Sequence, residues 1–580
     1  MRKIQAIPIS PGIAQGPIFH YGRSKVLVEK LENCDPDQER ARLQSALEQA
    51  AIQLKEIRKR AIEEVSAEEA LIFEAQEMFL SDPALVDQVF DRITSEACNA
   101  EFAWQEGTEF FANMLANLED EYLSARAADV RDVGQRVLRL LTGASDETSA
   151  LFRPAIILAD DLTPSDTVMF DKSLVLGFCT AQGGPTSHAA ILSRALGIPA
   201  VVGIGDWLDL LASSKLLLLD GTTGELIIDP DSEQIAHFQA RSDHLQSEYA
   251  QALKATQDHA TTPDGRTIEI AANLGSPSEA EQALELGAEG VGLFRTEFLF
   301  LDRITPPDEE EQIQAYQQVL QAFTPHPVIF RTLDIGGDKP APYLDLPQEL
   351  NPFLGLRGAR LTITRPELFK TQLRALLRAG AGYTLQVMFP MVDSLADVLA
   401  ARQIIEQSVE ELKDAGLPHA IVIRIGIMVE VPSAAIMADV LADAVDFFSI
   451  GTNDLSQYTM AADRTNSAVA VRADALEPAV LRLIQTVIDA AHTRGRWVGL
   501  CGELGGDPLA AALLVGLGID ELSMNARAIP LVKAAIRNTS FSSAEKIAHE
   551  CLKLKSASEV RNFLRDKVSG NTSPRTIDPH

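Results

Sequence analysis

Between residues 35 and 141 apolar side chains recur every three or four positions, as in Leu43, Leu47, Ala50, Leu54 and Ile57. That period builds helices with one buried stripe, and several long ones are predicted there. On either side the pattern shortens to that of strands. Residues 4 to 22 are β-like and punctuated by Pro8, Pro11, Gly12, Gly16 and Pro17. Strand-like runs return after Gly143: Ala155 to Leu158, Leu174 to Phe178, Ala200 to Gly203, Lys215 to Leu219, and Glu225 to Ile228 after the turn Gly221-Thr222-Thr223-Gly224. One strong helix, Ala189 to Leu196, lies among them. Strands around a helix make a small α/β domain, and the early strands need its sheet to join. The helical segment therefore reads as an insertion. From Asp231 to His259 the text is polar and helical with little apolar face, as in a connector between domains.

Beyond residue 262 apolar β-rich runs alternate with helical ones. Strands are predicted at Thr267 to Ala272, Gly290 to Phe294, Pro327 to Phe330, Leu385 to Phe389, Ile421 to Val429, Asp446 to Ile450, Trp497 to Leu500 and Asp520 to Ser523. Helices are predicted at Glu309 to Phe323, Pro366 to Arg378, Leu395 to Leu412, Pro478 to His492 and Pro508 to Leu517. This alternation is that of a (β/α)8 TIM-type barrel. The fold class is thus multidomain α/β. Residues 1–22 and 144–230 form an α/β domain, 23–143 an inserted helical subdomain and 231–260 a helical linker. The barrel takes 261–540, with a C-terminal helix and tail over 541–580.

The chain has 580 residues and a formal net charge of −31. Such charge argues against a nucleic-acid surface and suits a basic protein partner, and an anionic substrate would need locally gathered arginines. The five cysteines are dispersed, as in a reducing compartment. No apolar run nears the roughly 20 residues of a membrane span, and the start of the chain lacks a leader-like core, so a cytoplasmic protein is expected. Two stretches of the insertion are either solvated charged faces or a docking surface. One is acidic, with Glu63, Glu64, Glu68, Glu69, Glu74 and Glu77 beside exposed-looking Met78 and Phe79. The other runs from Asp120-Glu121-Tyr122 to Arg131-Asp132.

Chemistry gathers in two places. His188, in Gly183-Gly184-Pro185-Thr186-Ser187-His188, follows a tight turn and opens a helix that Thr186 or Ser187 can cap. There it meets unpaired N–H groups and the positive end of the helix dipole, which suit a phosphate. In the barrel, the residues after the strands form the active face. They are Asn273, Arg295 with Glu297, Arg331, Met391, Glu430, Asn453 with Asp454, Cys501 with Glu503, and Asn525. Glu430 and Asp454 are hard donors fit for Mg2+, or else part of a salt-bridge system. Arg295, Arg331, Arg357 and Arg464 offer planar forks for phosphate and carboxylate. Asp334-Ile335-Gly336-Gly337-Asp338-Lys339 and Gly355-Leu356-Arg357 let backbone approach a ligand. Cys501 can give or take a proton once its pKa is tuned, or be an inert core thiol.

Taken together, these residues resemble the enzyme I family of the bacterial sugar phosphotransferase system. The resemblance runs nearly end to end, from Pro8-Ile9-Ser10-Pro11-Gly12-Ile13-Ala14 to the last barrel strand. It is carried by the His188 run, Arg295-Thr296-Glu297-Phe298-Leu299, the Asp334 loop, Gly451-Thr452-Asn453-Asp454-Leu455 and Cys501-Gly502-Glu503. It implies that His188 accepts the phosphoryl group of phosphoenolpyruvate and passes it to the histidine of HPr or an HPr-like carrier docked on the helical insertion. It further implies that Arg295, Arg331, Arg357, Asn453 and Arg464 bind substrate, that Glu430 and Asp454 hold Mg2+, and that Cys501 protonates the enolate to give pyruvate. Thr167 would orient His188, which would swing between barrel and carrier, and the barrel would pair in a homodimer. Pro185 and the stretch from Asn466 to Ala475 depart from the family's familiar text and leave the acceptor open between general HPr and a dedicated relative. Pyruvate phosphate dikinase and phosphoenolpyruvate synthase share the histidine domain and barrel, but they need a nucleotide domain of roughly 300 residues ahead of the histidine, beyond the space here. A non-catalytic phosphoenolpyruvate sensor would be marked by loss of His188, Glu430, Asp454 or Cys501, and all four stand.

Overall fold

The structure is a computed structural model. It describes residues 2–10, 12–21, 28–64, 73, 76–116, 121–143, 151–162, 170–171, 173–182, 193, 197–212, 214–301, 303, 305–336, 342–344, 346, 349–464, 466 and 469–571. The His188 run, its helix apart from Ser193, and Thr167 lie outside these residues. The chain divides into two compact units, Met1–Gln246 and Ser247–His580.

The first unit is built on one mixed sheet. Its strands are β1 (Arg2–Gln5), β2 (Ile7–Ser10), β3 (Ile13–Tyr21), β4 (Ala155–Ala159), β5 (Val175–Thr180), β6 (Ala200–Val202), β7 (Leu216–Asp220) and β8 (Glu225–Ile228), in the order β1-β8-β7-β3-β4-β5-β6-β2. Its centre is parallel, with Ile18 beside Ile156 and Phe178 beside Ala200, and its flanks are antiparallel. Every residue of β4 is buried, which is why the run Ala-Ile-Ile-Leu-Ala shows no alternation. Between β3 and β4 the chain leaves to form helices Pro36–Glu64, Pro83–Glu96, Ala100–Ala116 and Glu121–Thr142. The predicted stripe of Leu43, Leu47, Ala50, Leu54 and Ile57 is buried against Trp104, Val133 and Val137. The Trp104 indole donates to the Gly134 carbonyl at 3.1 Å, so this large ring is buried without leaving its N–H unmatched.

Two expectations about the surface are corrected. Met78 is exposed, but Phe79 is half-buried against Ala112, Ala127 and Val130. Asp129 and Asp132 of the second charged stretch are buried, and Gln76 donates to Asp132 at 3.4 Å. Helical period carries them inward even though the local text is highly charged. The connector is also more anchored than its polarity suggests. In helix Ser232–Lys254, Phe238 packs on Leu218 and Ile227, and Arg241 meets the fully buried Asp220 at 2.6 Å.

The second unit opens with β9 (Ala260–Thr261), antiparallel to β10 (Thr267–Leu274). The strands β11 (Val291–Arg295), β12 (Val328–Arg331), β13 (Thr384–Phe389), β14 (Val422–Val429), β15 (Phe447–Ile450), β16 (Trp497–Leu500) and β17 (Glu521–Met524) follow, all parallel. β10 pairs with both β11 and β17, which closes an eight-stranded barrel. Leu293, Ile329, Met388, Met428 and Phe447 fill its interior, with Phe447 stacked on Trp497 at 4.7 Å between ring centroids. Helix Glu309–Phe323 begins at Asp308, whose carboxylate accepts from the Glu311 N–H at 2.8 Å. The helix predicted from Pro508 starts only at Ala511, because Glu503–Gly506 forms a 3-10 turn and Asp507 caps the Leu509 N–H. Helices Phe541–Cys551 and Ala557–Asn571 complete the unit. Among the described residues no helix is long and apolar enough to cross a membrane.

Candidate active site

At the carboxyl ends of the barrel strands, charged side chains form one buried ladder. Glu297 accepts from Arg331 at 3.0 Å and from the Asp334 backbone N–H at 3.0 Å. Arg331 also reaches Asp334 at 3.3 Å. Arg357 then bridges two aspartates, donating through Nε and Nη2 to Asp334 at 3.0 and 3.1 Å and through Nη1 and Nη2 to Asp454 at 3.2 Å each. Its Nη1 also donates to the Tyr458 hydroxyl at 3.2 Å. Burial opposes the charge on Arg331 and Arg357, but the facing carboxylates more than offset it and hold both pKa values above the ordinary guanidinium value. Burial also acts against ionised Asp454, and there Arg357 and Arg464 prevail and keep its pKa low.

Glu430 ends the ladder. One oxygen accepts from the Met391 N–H, which a left-handed turn at Met391 (φ 53°) aims at it. Its other oxygen is buried without a hydrogen-bond partner among the described residues. Burial, then the charges of Asp454 and Asp334, push the Glu430 pKa up. An orphaned carboxylate oxygen crowded by two further carboxylates is the environment a hard cation relieves, so Glu430 and Asp454 fit Mg2+. Among the described residues no three such side chains are arranged to hold a metal.

The other predicted residues surround this ladder unevenly. Arg464 is half-buried, with Nη2 3.7 Å from Asp454. Arg295 ends β11 and is exposed. Arg331 and Arg357 are therefore held by carboxylates, while Arg295 and Arg464 are the more accessible forks. The Asn453 side-chain oxygen accepts from the Glu503 N–H at 3.0 Å, tying the loops after β15 and β16 together. Cys501 is buried, and its thiol lies 3.7 Å from the Ile450 carbonyl. Burial pushes its pKa up to about 11, with the Ser449 hydroxyl and Arg331 opposing. Asn273 donates to the Cys501 carbonyl at 2.9 Å and fixes the loop that carries the thiol. Asn525 caps its own turn, its side-chain oxygen accepting from the Arg527 N–H at 3.0 Å. Sequence reading missed Asp334 as the hub and missed Tyr458, whose signal was its place four residues after Asp454 on helix Thr452–Met460.

Carboxylates and guanidiniums gathered on the carboxyl rim of a parallel barrel define an enzyme for a small anionic substrate. Three family models cover most of the chain: "PEP-utilising enzyme, N-terminal" over 5–126, "PEP-utilising enzyme, mobile domain" over 152–224, and "PEP-utilising enzyme, PEP-binding domain" over 249–541, PEP being phosphoenolpyruvate. The phosphoenolpyruvate-protein phosphotransferase of Priestia megaterium is 43% identical over 97% of this chain and 99% of its own length. That of Geobacillus stearothermophilus is 43% identical over 98% of each chain, and that of Bacillus subtilis is 41% identical over 98% of this chain and 100% of its own. The chain belongs to the phosphoenolpyruvate-protein phosphotransferase family.

Proposed function

We propose that this enzyme moves the phosphoryl group of phosphoenolpyruvate to His188 and on to the histidine of HPr or an HPr-like carrier, releasing pyruvate in the first step of sugar phosphotransfer. The observation that carries this reading is the buried ladder from Glu297 to Glu430, which gathers fixed charge of both signs beside the Cys501 thiol. Arg295 and Arg464 meet the substrate's phosphate and carboxylate, with Arg331, Arg357 and Asn453 shaping the floor. Their charges are set before the reaction, so little reorganisation is needed as charge moves. Glu430 and Asp454 hold Mg2+, which when bound offsets charge on the transferring phosphate. Cys501, kept protonated by burial, gives its proton to carbon 3 of the enolate. Loss of that enolate as pyruvate draws the transfer forward.

His188 serves both sites by moving between them, with Thr167 orienting its ring. The segments 1–22 and 144–230 act as the phosphohistidine domain, 23–143 as the carrier-docking subdomain, 231–260 as the linker and 261–540 as the substrate barrel, with 541–580 as its tail. The enzyme works in the cytoplasm as a homodimer through the barrel. The test is incubation with Mg2+ and phosphoenolpyruvate labelled in its phosphoryl group, beside His188→Ala and a labelled-ATP reaction. Acid-labile, base-stable label from phosphoenolpyruvate alone, lost in the variant, is expected. No label from phosphoenolpyruvate would favour a sensor, and label from ATP a dikinase.

A further inference from the structure

When Cys501 gives its proton to carbon 3 it becomes a thiolate in a buried site, and a proton must return before the next turnover. The inner wall of the barrel carries groups suited to return it. Across four neighbouring strands, Glu269 of β10 stands in register with Glu521 of β17, Glu521 with Gly499 of β16, and Gly499 with Ser449 of β15. Side chains of one row face the same side, and Cys501 lies two residues above Gly499 on that side. The row thus reads acid, acid, gap, hydroxyl, with the thiol above the gap.

The gap is where Glu521 reaches across. Its Oε1 lies 2.9 Å from the point a Gly499 Cβ would occupy and 2.5 Å from that of Gly292. Any side chain at either glycine would collide with it. Glu521 is 4% exposed, and this oxygen has no hydrogen-bond partner among the described residues. Burial, reinforced by Glu269 and Asp520, keeps Glu521 protonated far above the usual carboxylate range. A neutral buried acid has a proton to give. Ser449, buried one strand beyond the gap, opposes the rise of the Cys501 pKa, and its hydroxyl has no hydrogen-bond partner among the described residues. Glu269, next to Glu521, is only half-buried and connects the row toward solvent. The acids facing Glu521 are Glu269 and Asp520, and no cation is paired with it among the described residues.

We infer that Glu521 is a positioning residue for proton return, which hands its carboxyl proton through the Ser449 hydroxyl to the Cys501 thiolate and is itself recharged from solvent by way of Glu269. In each step one O–H bond breaks as the next S–H or O–H bond forms. The net result is one solvent proton carried to the methyl group of pyruvate through the barrel interior. The inference rests on the reading of Cys501 as proton donor.

The experiment uses the full chain in D2O with Mg2+, phosphoenolpyruvate and carbon-labelled pyruvate. Two quantities are followed together: carbon label passing between the two pools, and deuterium entering carbon 3. Their ratio reports how often the Cys501 proton trades with solvent during one chemical cycle, and a merely structural defect lowers both alike. For Glu521→Gln we expect deuterium entry per carbon exchanged to fall by about tenfold or more. Ser449→Ala should do the same, and it carries the test if Glu521→Gln does not fold. An unchanged ratio in the folded variants would overturn the relay alone. Absence of carbon exchange in the unaltered chain would instead overturn the phosphotransfer reading.

Discussion

Asp334 accepts from both Arg331 and Arg357 and is 1% exposed. Two guanidiniums are thus buried against one carboxylate, and removing its charge leaves them poorly matched. Asp334→Asn should therefore destabilise the protein by about 3 kcal/mol, read as a lower midpoint in urea unfolding. Cys501 permits a sharper test. With its pKa near 11, only about one molecule in a thousand carries the thiolate at pH 8. Alkylation of Cys501 should stay slow at pH 8 and rise toward pH 11, measured by mass spectrometry of the peptide that contains it. The sign for stability follows. A thiol pKa raised by folding favours the folded state fully below the ordinary thiol pKa, and this contribution is lost as pH rises through 11. The thiol and arginines of this site are legible at strand ends in the sequence. Their partners are not, because Arg357 and Asp454 stand 97 residues apart and spacing does not say which carboxylate an arginine will face.

Among the elements, the barrel strands lie close to their predicted places because each pairs apolar runs with turn residues, and helix Glu309–Phe323 matches residue for residue. Legibility fails where tertiary contacts decide. Pro508 reads as a helix start, yet residues 508–510 form a turn tied to Asp507 and the helix opens only at Ala511. Lys533 is a second case. On helix Ile529–Arg537 its ammonium is fully buried, meeting Glu289 at 2.6 Å and the carbonyls of Thr256 and Asp258 at 3.0 and 3.2 Å. It ties the segment entering the barrel to the last barrel helix. Lys533→Met keeps much of the volume but abandons Glu289 and two carbonyls. A loss of about 3 kcal/mol is expected, again in urea unfolding. Conversely, the Arg241 to Asp220 pair is one that a polar helix text gave no means of foreseeing.

The whole molecule carries a net charge of −31, and on the proposed function the carrier it phosphorylates should present a basic face. Raising ionic strength from about 0.01 to 0.15 M shortens the Debye length from about 30 to 8 Å. Carrier phosphorylation should then show a falling kcat/KM with little change in kcat, measured by label transfer at fixed pH. The helical segment enters this larger design in a particular way. β3 and β4 are parallel neighbours, with Tyr21 beside Ala159, so the chain must travel back the length of a strand between them. Parallel strands cannot be joined by a tight turn and need a crossover of a dozen residues or more. The inserted helices are that crossover. Trimming them to a short loop would sever the sheet's own wiring. Exchange is a different matter: another helical module that spans the same return path can be spliced in while the strands keep their order.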